Sequence, residues 1–434
     1  MKSKQPRIVV IGGGFGGLKA ADSLAHLPVQ ITLVDRRNHH TFQPLLYQVA
    51  TAGLSPAEIA APIREILARY DNVEVLLGEV YGFDLSKRIV KVHGFDVPYD
   101  YLVVAAGATH AYFGHNEWET WAPGLKTIEN ALEIRRRMLL TFELAERQAA
   151  TEGEHHPVSF VVVGGGPTGV ELAGTLAEIT RGALADDFRN IDPKATRIVL
   201  LEAGPSILPS YPSDLRESAK HQLERLGVEV RLNSAVTDVR ADSVCIGNET
   251  FHSSLTLWAA GVLASPLGRA LGAPTDKNGR VLVEADLSIP GHREVFVIGD
   301  LASLTQSEGM QLPGVAPVAM QQGRWVARQI AADLAGNARK PFHYVDKGSL
   351  ATIGRAAAVA DFGKIHISGF FAWLAWLFIH IFFLIGFRNR LIVMIQWAWS
   401  YFTFDRSARL ITGDSQKLLA EMEAAAEIDR EKAS

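Results

Sequence analysis

Residues 7–18 read RIVVIGGGFGGL, a short apolar run that ends in a cluster of glycines. The apolar residues suit a buried parallel strand, and Gly12, Gly14 and Gly17 have the G-x-G-x-x-G spacing. In such a turn the first glycine permits the tight bend and the second lets backbone approach a pyrophosphate. The third glycine lets the following helix pack on the strand. The stretch therefore predicts the start of a dinucleotide-binding βαβ unit.

The segments that follow complete this unit. LKAADSLAHL, residues 18–27, has a helical pattern, and VQITLVD, residues 29–35, predicts a second strand. That strand ends at Asp35, about 18 residues past the third glycine, where an acid can accept a hydrogen bond from a ribose hydroxyl. The N-terminus of the helix attracts phosphate groups. Strand, helix and terminal acid together favour nucleotide binding over a glycine turn without a ligand.

The same pattern returns in SFVVVGGGPTGVELAGTL, residues 159–176. Its glycines are Gly164, Gly166 and Gly169, and the acid that ends the next strand is Glu202, about 33 residues past the third glycine. Because this spacing is longer than usual, RGALADDFRNIDPKA, residues 181–195, is interpreted as an inserted helix and loop. The repeat predicts two related dinucleotide domains.

Composition sets further limits on the function. The 434 residues are enough for two or three domains, and the net charge of −4 does not favour nucleic acid as a partner. Cys245 is the single cysteine, which excludes internal disulfides and a paired-thiol redox relay and fits a reduced cytosolic setting. The first apolar run leads directly into a glycine loop, so no signal peptide is expected. His39 and His40 have no partners at metal-ligand spacing, and no metal is expected.

A long apolar stretch near the end of the chain stands apart from this pattern. GFFAWLAWLFIHIFFLIGF, residues 369–387, contains no Lys, Arg, Asp or Glu. A helix over residues 367–387 would be about 32 Å long, against a hydrocarbon core of about 30 Å, so its length permits a membrane span. The next block, residues 391–404, is about 21 Å long and too short to cross back.

That second block is amphipathic. One face of the predicted helix contains the polar residues Asn389, Gln396, Ser400, Thr403 and Ser407. Its tryptophans suit a membrane interface, and Arg388 and Arg390 can meet anionic headgroups. Two C-terminal helices docked on a membrane surface are favoured, and a true span remains the alternative. The charged tail after Gly413 is expected to be a solvated helix or disordered.

These segments together resemble the type II NADH dehydrogenases, the single-subunit NADH:quinone oxidoreductases of respiratory membranes. The resemblance covers nearly the whole chain and includes RRNHHTFQPLLYQVATAGLSP, VFVIGDLA, LPGVAPVAMQQGR, DKGSLATIGR and GFRNRLIVMIQWAWSY. It implies an α/β fold with two Rossmann-like domains, for FAD and NADH, and a C-terminal membrane-associated helical segment. It implies an interleaved layout: FAD domain in residues 1–112 and 263–345, NADH domain in 113–262, and membrane-docking region in 346–434.

The resemblance also implies the cofactor contacts. The first loop and Asp35 would hold the FAD pyrophosphate and ribose, Val80 would meet the adenine, and residues 42–48 would lie along the isoalloxazine. The residues expected to bind FAD are Gly12, Gly14, Phe15, Gly16, Gly17, Asp35, Gln43, Pro44, Leu45, Val80, Ala106, Gly107, Asp300 and Ala319. The residues expected to bind NADH are Gly164, Gly166, Pro167, Thr168, Gly169, Glu171, Glu202 and Gly261.

Three residues are predicted to act in catalysis. Glu171 lies in the first turn of the second nucleotide helix and would hold the carboxamide or assist proton movement; stabilisation by the helix dipole is the simpler alternative. Gln321 is the better candidate for a quinone hydrogen-bond donor, because Pro317 stands where relatives often have Gln; a surface residue of the helix is the alternative. Lys364 and Ile367 match in spacing a Lys/Ile pair that borders the quinone tunnel in relatives, so the resemblance implies that role for Lys364; an exposed Lys beside a membrane segment is the alternative.

The predicted reaction is hydride transfer from NADH to FAD and two-electron reduction of a membrane quinone, ubiquinone or menaquinone, without proton pumping. Because Glu202 accepts from both ribose hydroxyls and repels a 2′-phosphate, NADH is favoured over NADPH. The protein is expected at the cytoplasmic face of the cell membrane, on the lipid bilayer surface, with a homodimer as a further possibility. Two alternatives stay open: a soluble NADH-dependent reductase of a ferredoxin or rubredoxin, and a redox-sensing flavoprotein.

Overall fold

The computed structural model describes residues 5–153, 157–306, 309, 311–384, 387–403 and 408–413. The expectations for Phe404, Ser407 and the tail after Gly413 lie outside these residues. The chain forms two compact units. The first comprises Met1–Thr41, Ala60–Thr109 and Val262–Lys347, and the second comprises Phe42–Ile59, His110–Gly261 and Gly348–Ser434. The four-part division given above stays a prediction.

The strands of both units follow in chain order. They are β1 (Arg7–Ile11), β2 (Gln30–Asp35), β3 (His39–Thr41), β4 (Ala60–Pro62), β5 (Val73–Leu77), β6 (Val80–Asp84), β7 (Ile89–Val92), β8 (Phe95–Pro98), β9 (Tyr101–Val104), β10 (Ala108–His110), β11 (Ser159–Val163), β12 (Arg197–Leu201), β13 (Val228–Arg231), β14 (Asp238–Val239), β15 (Ser243–Ile246), β16 (Glu249–His252), β17 (Leu255–Trp258), β18 (Val262–Ala264), β19 (Val281–Leu282), β20 (Ser288–Ile289), β21 (His292–Val297), β22 (Ala302–Ser303), β23 (Ser349–Gly354), β24 (Ala357–Asp361) and β25 (His366–Ser368).

The α-helices are α1 (Phe15–Leu24), α2 (Leu46–Ala50), α3 (Pro56–Ile59), α4 (Ile63–Leu67), α5 (Ile128–Glu152), α6 (Pro167–Glu178), α7 (Ser213–Arg225), α8 (Leu267–Ala270), α9 (Ala316–Leu334), α10 (Phe370–Phe383) and α11 (Phe387–Thr403). Short 3₁₀ turns occur at Gln43–Leu45, Asn116–Thr120, Pro193–Ala195 and Gly299–Leu301, and a π turn at Ile179–Ala183.

The first unit is built around a sheet in the order β20-β21-β9-β1-β2-β5. All of its strands are parallel except β20, which lies antiparallel at one edge. Residues 8–11 of β1 are buried, as expected for a parallel strand covered on both faces. Helices α1 and α9 pack closely, because a Cβ at Gly323 would lie only 2.4 Å from the carbonyl oxygen of Gly16. The first glycine loop therefore starts from the middle of this sheet, between β9 and β2.

The second unit contains the parallel sheet β13-β12-β11-β17. All five residues of β11 are buried. Helix α6 follows β11, and a Cβ at Gly174 on this helix would lie 1.6 Å from the carbonyl oxygen of Ile353 on β23. The close approach requires glycine there. The predicted α/β class with two Rossmann-like domains is confirmed, because each unit has a parallel sheet with a glycine loop after a central strand.

The C-terminal region belongs to the second unit. It opens with the antiparallel sheet β23-β24-β25 and continues into α10 and α11. One helix over the whole 367–387 stretch does not form: Ile367 and Ser368 lie in β25, and Gly369 turns the chain with φ of 72°. Helix α10 has 14 residues, about 21 Å, and the chain is extended again at Leu384. Within the described ranges, no helix is both long and apolar enough to cross a bilayer.

Candidate functional site

The first glycine loop combines two crowded glycines with an open one. A Cβ at Gly12, where φ is 95°, would lie 2.5 Å from the carbonyl oxygen of Ala105, and one at Gly17 would lie 1.9 Å from that of Gly12. A Cβ at Gly14 would meet no atom within 4 Å, and the φ of Gly14 is an ordinary −72°. Neither backbone nor packing requires glycine at Gly14. The open space at the N-terminus of α1 therefore fits a group from outside the chain, such as a pyrophosphate.

Asp35 is tied to this loop. Its Oδ2 accepts from the backbone N–H of Gly13 at 2.5 Å, and its Oδ1 accepts from the backbone N–H of Arg37 at 2.7 Å. These bonds hold the carboxylate at the end of β2, beside the loop. A carboxylate has about four lone-pair sites, so acceptor capacity remains for a ribose hydroxyl.

His40 supports the loop from within the first unit. Its Nδ1 lies 2.9 Å from the carbonyl oxygen of Gly13, and its ring edge meets Phe15 with centroids 5.0 Å apart. Burial lowers the pKa of His40, so the neutral ring donates from Nδ1 to that carbonyl. No pattern in the sequence indicated this contact, and only a loop or packing role was expected for His40.

The second glycine loop repeats the geometry of the first. A Cβ at Gly164, where φ is 109°, would lie 2.6 Å from the backbone of Ala259, and one at Gly169 would lie 1.8 Å from the oxygen of Gly164. Gly166 has nothing within 4 Å and an ordinary φ of −71°. Pro167 occupies the first position of α6, where its missing N–H costs nothing.

Glu202 closes the second site. Its Oε2 accepts from the N–H of Gly165 and its Oε1 from the N–H of Gly204, both at 2.6 Å. The long spacing from the loop arises because a π turn and a 3₁₀ turn, Ile179–Ala183 and Pro193–Ala195, come between α6 and β12. The insertion predicted from the sequence is therefore present in the second unit.

The other predicted FAD contacts of the first unit lie on several elements. Val80 begins β6, Ala106 and Gly107 follow β9, and Asp300 lies in the turn after β21. The N–H of Gly299 in this turn donates to Oε1 of Gln322 at 2.7 Å. Gln322 is buried on α9, as is Ala319. The sequence analysis missed Gln322, whose role as a brace of the Asp300 turn depends on long-range packing.

The predicted isoalloxazine segment belongs to the second unit. Nε2 of Gln43 donates to the carbonyl oxygen of Lys126 at 3.2 Å, Pro44 lies at the start of the 3₁₀ turn, and Leu45 is fully buried. Just after this segment, buried Arg135 of α5 donates to the carbonyl oxygens of Val49 and Leu54, each at 2.8 Å. The position of the segment thus depends on α5, which the sequence did not indicate.

Glu171 lies in the first turns of α6, in the second unit. Burial raises its pKa well above the ordinary range, although the backbone N–H of Thr352 donates to the carboxyl group. Tyr211 lies near enough for the negative charges of Glu171 and Asp361 to add to the effect of burial, which raises the pKa of the tyrosine. Burial therefore favours the protonated form of the Glu171 carboxyl group over the charged form.

Gln321 and Lys364 have different surroundings. The side chain of Gln321 makes a two-way contact with Val345: Nε2 donates to its carbonyl oxygen at 2.9 Å, and its N–H donates to Oε1 at 3.0 Å. Lys364 is exposed in the turn between β24 and β25, near Ile367 in sequence. Gln321 and Lys364 lie in different units, and their proposed quinone roles stay predictions.

Comparisons with known proteins agree with this geometry. Residues 6–323 match the pyridine nucleotide-disulphide oxidoreductase family, and residues 347–406 match the NDH2 C-terminal domain. The type II NADH:quinone oxidoreductase Ndh of Mycobacterium tuberculosis is 43% identical, over 99% of this chain and 95% of that protein. NdhA of the same organism, also a type II NADH:quinone oxidoreductase, is 45% identical over 96% and 91%.

The chain belongs to the type II NADH:quinone oxidoreductase family.

A solved structure allows the fold of this type II NADH:quinone oxidoreductase family member to be compared as well. NDH2 from Plasmodium falciparum, solved in complex with NADH, superimposes with a TM-score of 0.83 over 94% of this chain and 100% of that one. The two chains are 20% identical, so the likeness concerns the fold.

This member of the type II NADH:quinone oxidoreductase family has a single cysteine, although its wider family is named for disulphide chemistry. Cys245 is buried on β15. Within the part of the chain that the structure describes, no group of three or more His, Cys, Asp or Glu residues could hold a metal ion. Transfer of electrons through a cysteine pair is excluded, because a pair requires two cysteines.

Proposed function

We propose that this chain oxidises NADH and reduces a membrane quinone, with FAD held by the first glycine loop and NADH by the second. The observation that carries the proposal is the open middle glycine of each loop, Gly14 and Gly166, beside an acid that ends the next strand. Bound FAD supplies a ring that takes a hydride and returns electrons to a quinone. The residues of the chain bind, orient and move protons around it.

The second site supports a preference for NADH over NADPH. Both oxygens of Glu202 already accept backbone N–H groups, and the remaining lone pairs can accept from the two ribose hydroxyls. A 2′-phosphate at the same place would bring negative charge against the carboxylate. We expect kcat/KM for NADH to exceed kcat/KM for NADPH by more than about tenfold. The reason is that NADPH loses one charge-assisted hydrogen bond to Glu202.

Glu171 supports a role in proton movement during quinone reduction. Quinone reduction to a quinol takes up two protons, and a carboxyl group whose pKa is raised well above its ordinary range by burial is suited to supply one. Glu171→Gln keeps the shape of the side chain but removes the proton. We expect it to slow reoxidation of reduced flavin by quinone more than reduction by NADH, as separate stopped-flow half-reactions would measure.

Gln321 is proposed as a hydrogen-bond donor to the quinone, and Lys364 as a residue at the border of its tunnel. Since the amide of Gln321 contacts Val345 at both ends, quinone would compete with that backbone for the amide. Gln321→Ala should therefore slow the quinone half-reaction selectively. An effect on reduction by NADH alone would remove Gln321 from the quinone site.

The C-terminal helices support docking on a lipid surface. Gln396 of α11 donates to the carboxylate of Glu58, and Nε1 of Trp397 donates to Oε1 of Gln48 at 2.8 Å. Among the side chains that the structure describes on the two helices, the large exposed ones are apolar: Phe370, Phe371, Phe378, Phe382, Phe383, Leu391, Met394, Ile395 and Trp399. Polar groups thus turn toward the protein and apolar groups outward, the reverse of a helix in water.

The bilayer is the proposed partner of this apolar surface, at the cytoplasmic face of the cell membrane, and a second copy of the chain is the competing occupant. Phe378→Asp with Ile395→Asp should abolish flotation with liposomes and spare NADH oxidation by a hydrophilic acceptor. Leu77→Asp, at an equally exposed leucine of the first unit, is the matched control. If the double variant still floats but changes from dimer to monomer in sedimentation, the surface holds a second copy.

One experiment tests the activity as a whole. The purified protein in lipid is given NADH with and without a short-chain quinone, and NADH absorbance is followed. Oxidation that depends on quinone supports the proposal. Turnover only with a ferredoxin or rubredoxin would favour a soluble reductase. Binding of FAD and NADH without turnover would favour a redox sensor.

A further inference from the structure

Phe113, in the second unit, is an exposed aromatic residue in a strained conformation. Its side chain is 67% exposed, and its φ is 52°, in the left-handed region that side chains other than Gly, Asn and Asp rarely adopt. Gly114 next to it has a φ of 99°. An aromatic ring held out into solvent at a conformational cost needs an explanation, because strain of this kind concentrates at binding sites.

A cluster of buried aromatic side chains lies beside the Phe113 ring. Nε1 of Trp258 donates to the carbonyl oxygen of Ala111 at 2.8 Å, and Tyr112 stacks on the Trp258 ring with centroids 5.3 Å apart. Trp118 packs against the same ring at 5.5 Å. Trp258, Tyr112 and Trp118 are all nearly fully buried. Phe113 contacts this cluster from outside, with its ring centroid 6.5 Å from that of Trp258.

The ring lies beside the end of β17, next to the second glycine loop. A Cβ on Gly261 would lie 2.9 Å from Cζ of Phe113. Two residues earlier, the backbone of Ala259 lies against Gly164, the first glycine of the loop. Phe113, Gly261, Ala259 and Gly164 thus form a continuous strip at the carboxyl edge of the sheet, where ligands of parallel α/β sheets bind.

The strand order assigns this strip to one half of a dinucleotide. Strand β11 lies between β12 and β17, and β12 is followed directly by Glu202, the acid proposed to bind the adenosine ribose. A pyrophosphate bound at the loop would lie over β11. The other half of the dinucleotide would then extend over the end of β17, toward Gly261 and Phe113.

We propose that Phe113 is a specificity residue of the NADH site whose exposed ring forms an apolar wall for the nicotinamide half of the bound dinucleotide. This inference rests on the proposed function of the second loop. Nicotinamide is a flat ring that stacks on or packs edgewise against aromatic side chains. The buried Trp258 cluster fixes the position of the ring, and the left-handed backbone directs it out of the protein.

Phe113→Asn separates a binding role from a structural one. Asn tolerates the left-handed region, so the substitution removes the ring and also relieves the backbone strain. A purely structural ring would stabilise the fold, and its loss would lower the melting temperature. The proposed role predicts a melting temperature that is not lowered and weaker binding of the nicotinamide half.

The probes are ADP-ribose, which lacks nicotinamide, and a tetrahydronicotinamide analogue of NADH, which cannot donate hydride. Both are titrated against the flavin-loaded protein by calorimetry. We expect Phe113→Asn to raise the Kd of the analogue about three- to tenfold and to leave the Kd of ADP-ribose unchanged. Ala356→Gly, which relieves a φ of 57° in the β23–β24 turn, is the matched control and should change neither Kd.

Four results would overturn this inference. Equal losses for both probes would mean that the substitution disturbs the whole site, and no loss for either would mean that the ring contacts neither half. A fall in melting temperature with unchanged binding would make Phe113 structural. If the unsubstituted protein binds ADP-ribose but not the analogue, the proposed NADH function fails together with it.

Discussion

The two glycine loops have the same geometry but different supports. In both, the outer glycines touch backbone and the middle glycine faces open space. The first loop receives a hydrogen bond from His40, whereas no histidine plays this part in the described contacts of the second. Helix α1 packs on helix α9, whereas α6 packs on strand β23 at Gly174. The same loop geometry is therefore supported by different packed elements in the two units. We expect that each loop can be altered without changing the other.

The largest effect is expected at the first loop. Gly14→Val should give folded protein with little or no FAD, because the new side chain fills the open space without touching the chain. The absorbance of bound flavin and the circular dichroism spectrum measure the two properties. Gly17→Val is the contrasting variant: its side chain would collide with the Gly12 carbonyl, so it should fail to fold. Stoichiometric FAD in Gly14→Val would refute the assignment of the first loop.

The same substitution in the second loop should have a narrower effect. Gly166→Val should retain full FAD and lose affinity for NADH by about a hundredfold, since it blocks the backbone N–H bonds to a pyrophosphate. Flavin absorbance and the KM for NADH are the measurements. If Gly166→Val loses FAD and Gly14→Val does not, the two loops have been assigned in the wrong order.

The acids provide a finer comparison. Glu202→Arg should shift kcat/KM toward NADPH by roughly ten- to a hundredfold, because a cation replaces a carboxylate near the 2′ position. Glu202→Gln keeps the length of the side chain and should reduce NADH use without creating NADPH use. Equal use of both cofactors by the unsubstituted protein would contradict the role of Glu202.

The smallest effect concerns pH at the first loop. His40 is neutral in the folded loop, and burial lowers its pKa, with Asp35 opposing and His39 adding to the shift. The folded loop is stable with respect to His40 above about pH 6.5, and it loses stability as the pH falls below that value. The reason is that the His40 ring binds a proton in the opened loop but not in the folded loop. FAD affinity should fall up to about tenfold between pH 7 and 5.5.

His40→Gln should flatten that pH dependence, because Gln can donate to the same carbonyl and does not titrate. His252→Gln, at an exposed histidine of β16, should leave it intact. FAD retained after desalting at each pH is the measurement. An unchanged pH profile in His40→Gln would show that another group controls FAD release.

The sequence predicted the local parts of the sites and missed the long-range ones. The loops, Asp35, Glu202 and the insertion between α6 and β12 follow from glycine spacing and strand patterns within about 40 residues. Gln322 and Phe113 gave no comparable signal, because no spacing pattern links Gln322 to Gly299, and Phe113 contacts Gly261, which is distant in sequence. The one indication for Phe113 was its position directly before Gly114. A glycine there predicts a turn, and a turn would hold the aromatic ring at the surface.

The sequence by itself determined the family, the two parallel sheets and the two nucleotide turns. A turn that needs a positive φ and close backbone contact admits only glycine. The glycine spacing can therefore be recognised from the sequence alone. The tertiary structure alone decided which face of α11 turns inward. Gln396 donates to Glu58, 338 residues away, and buried Arg135 donates to the carbonyl oxygen of Leu54 shortly before that acid. Helical periodicity shows that a helix has two faces, but its buried partners decide which face meets the protein.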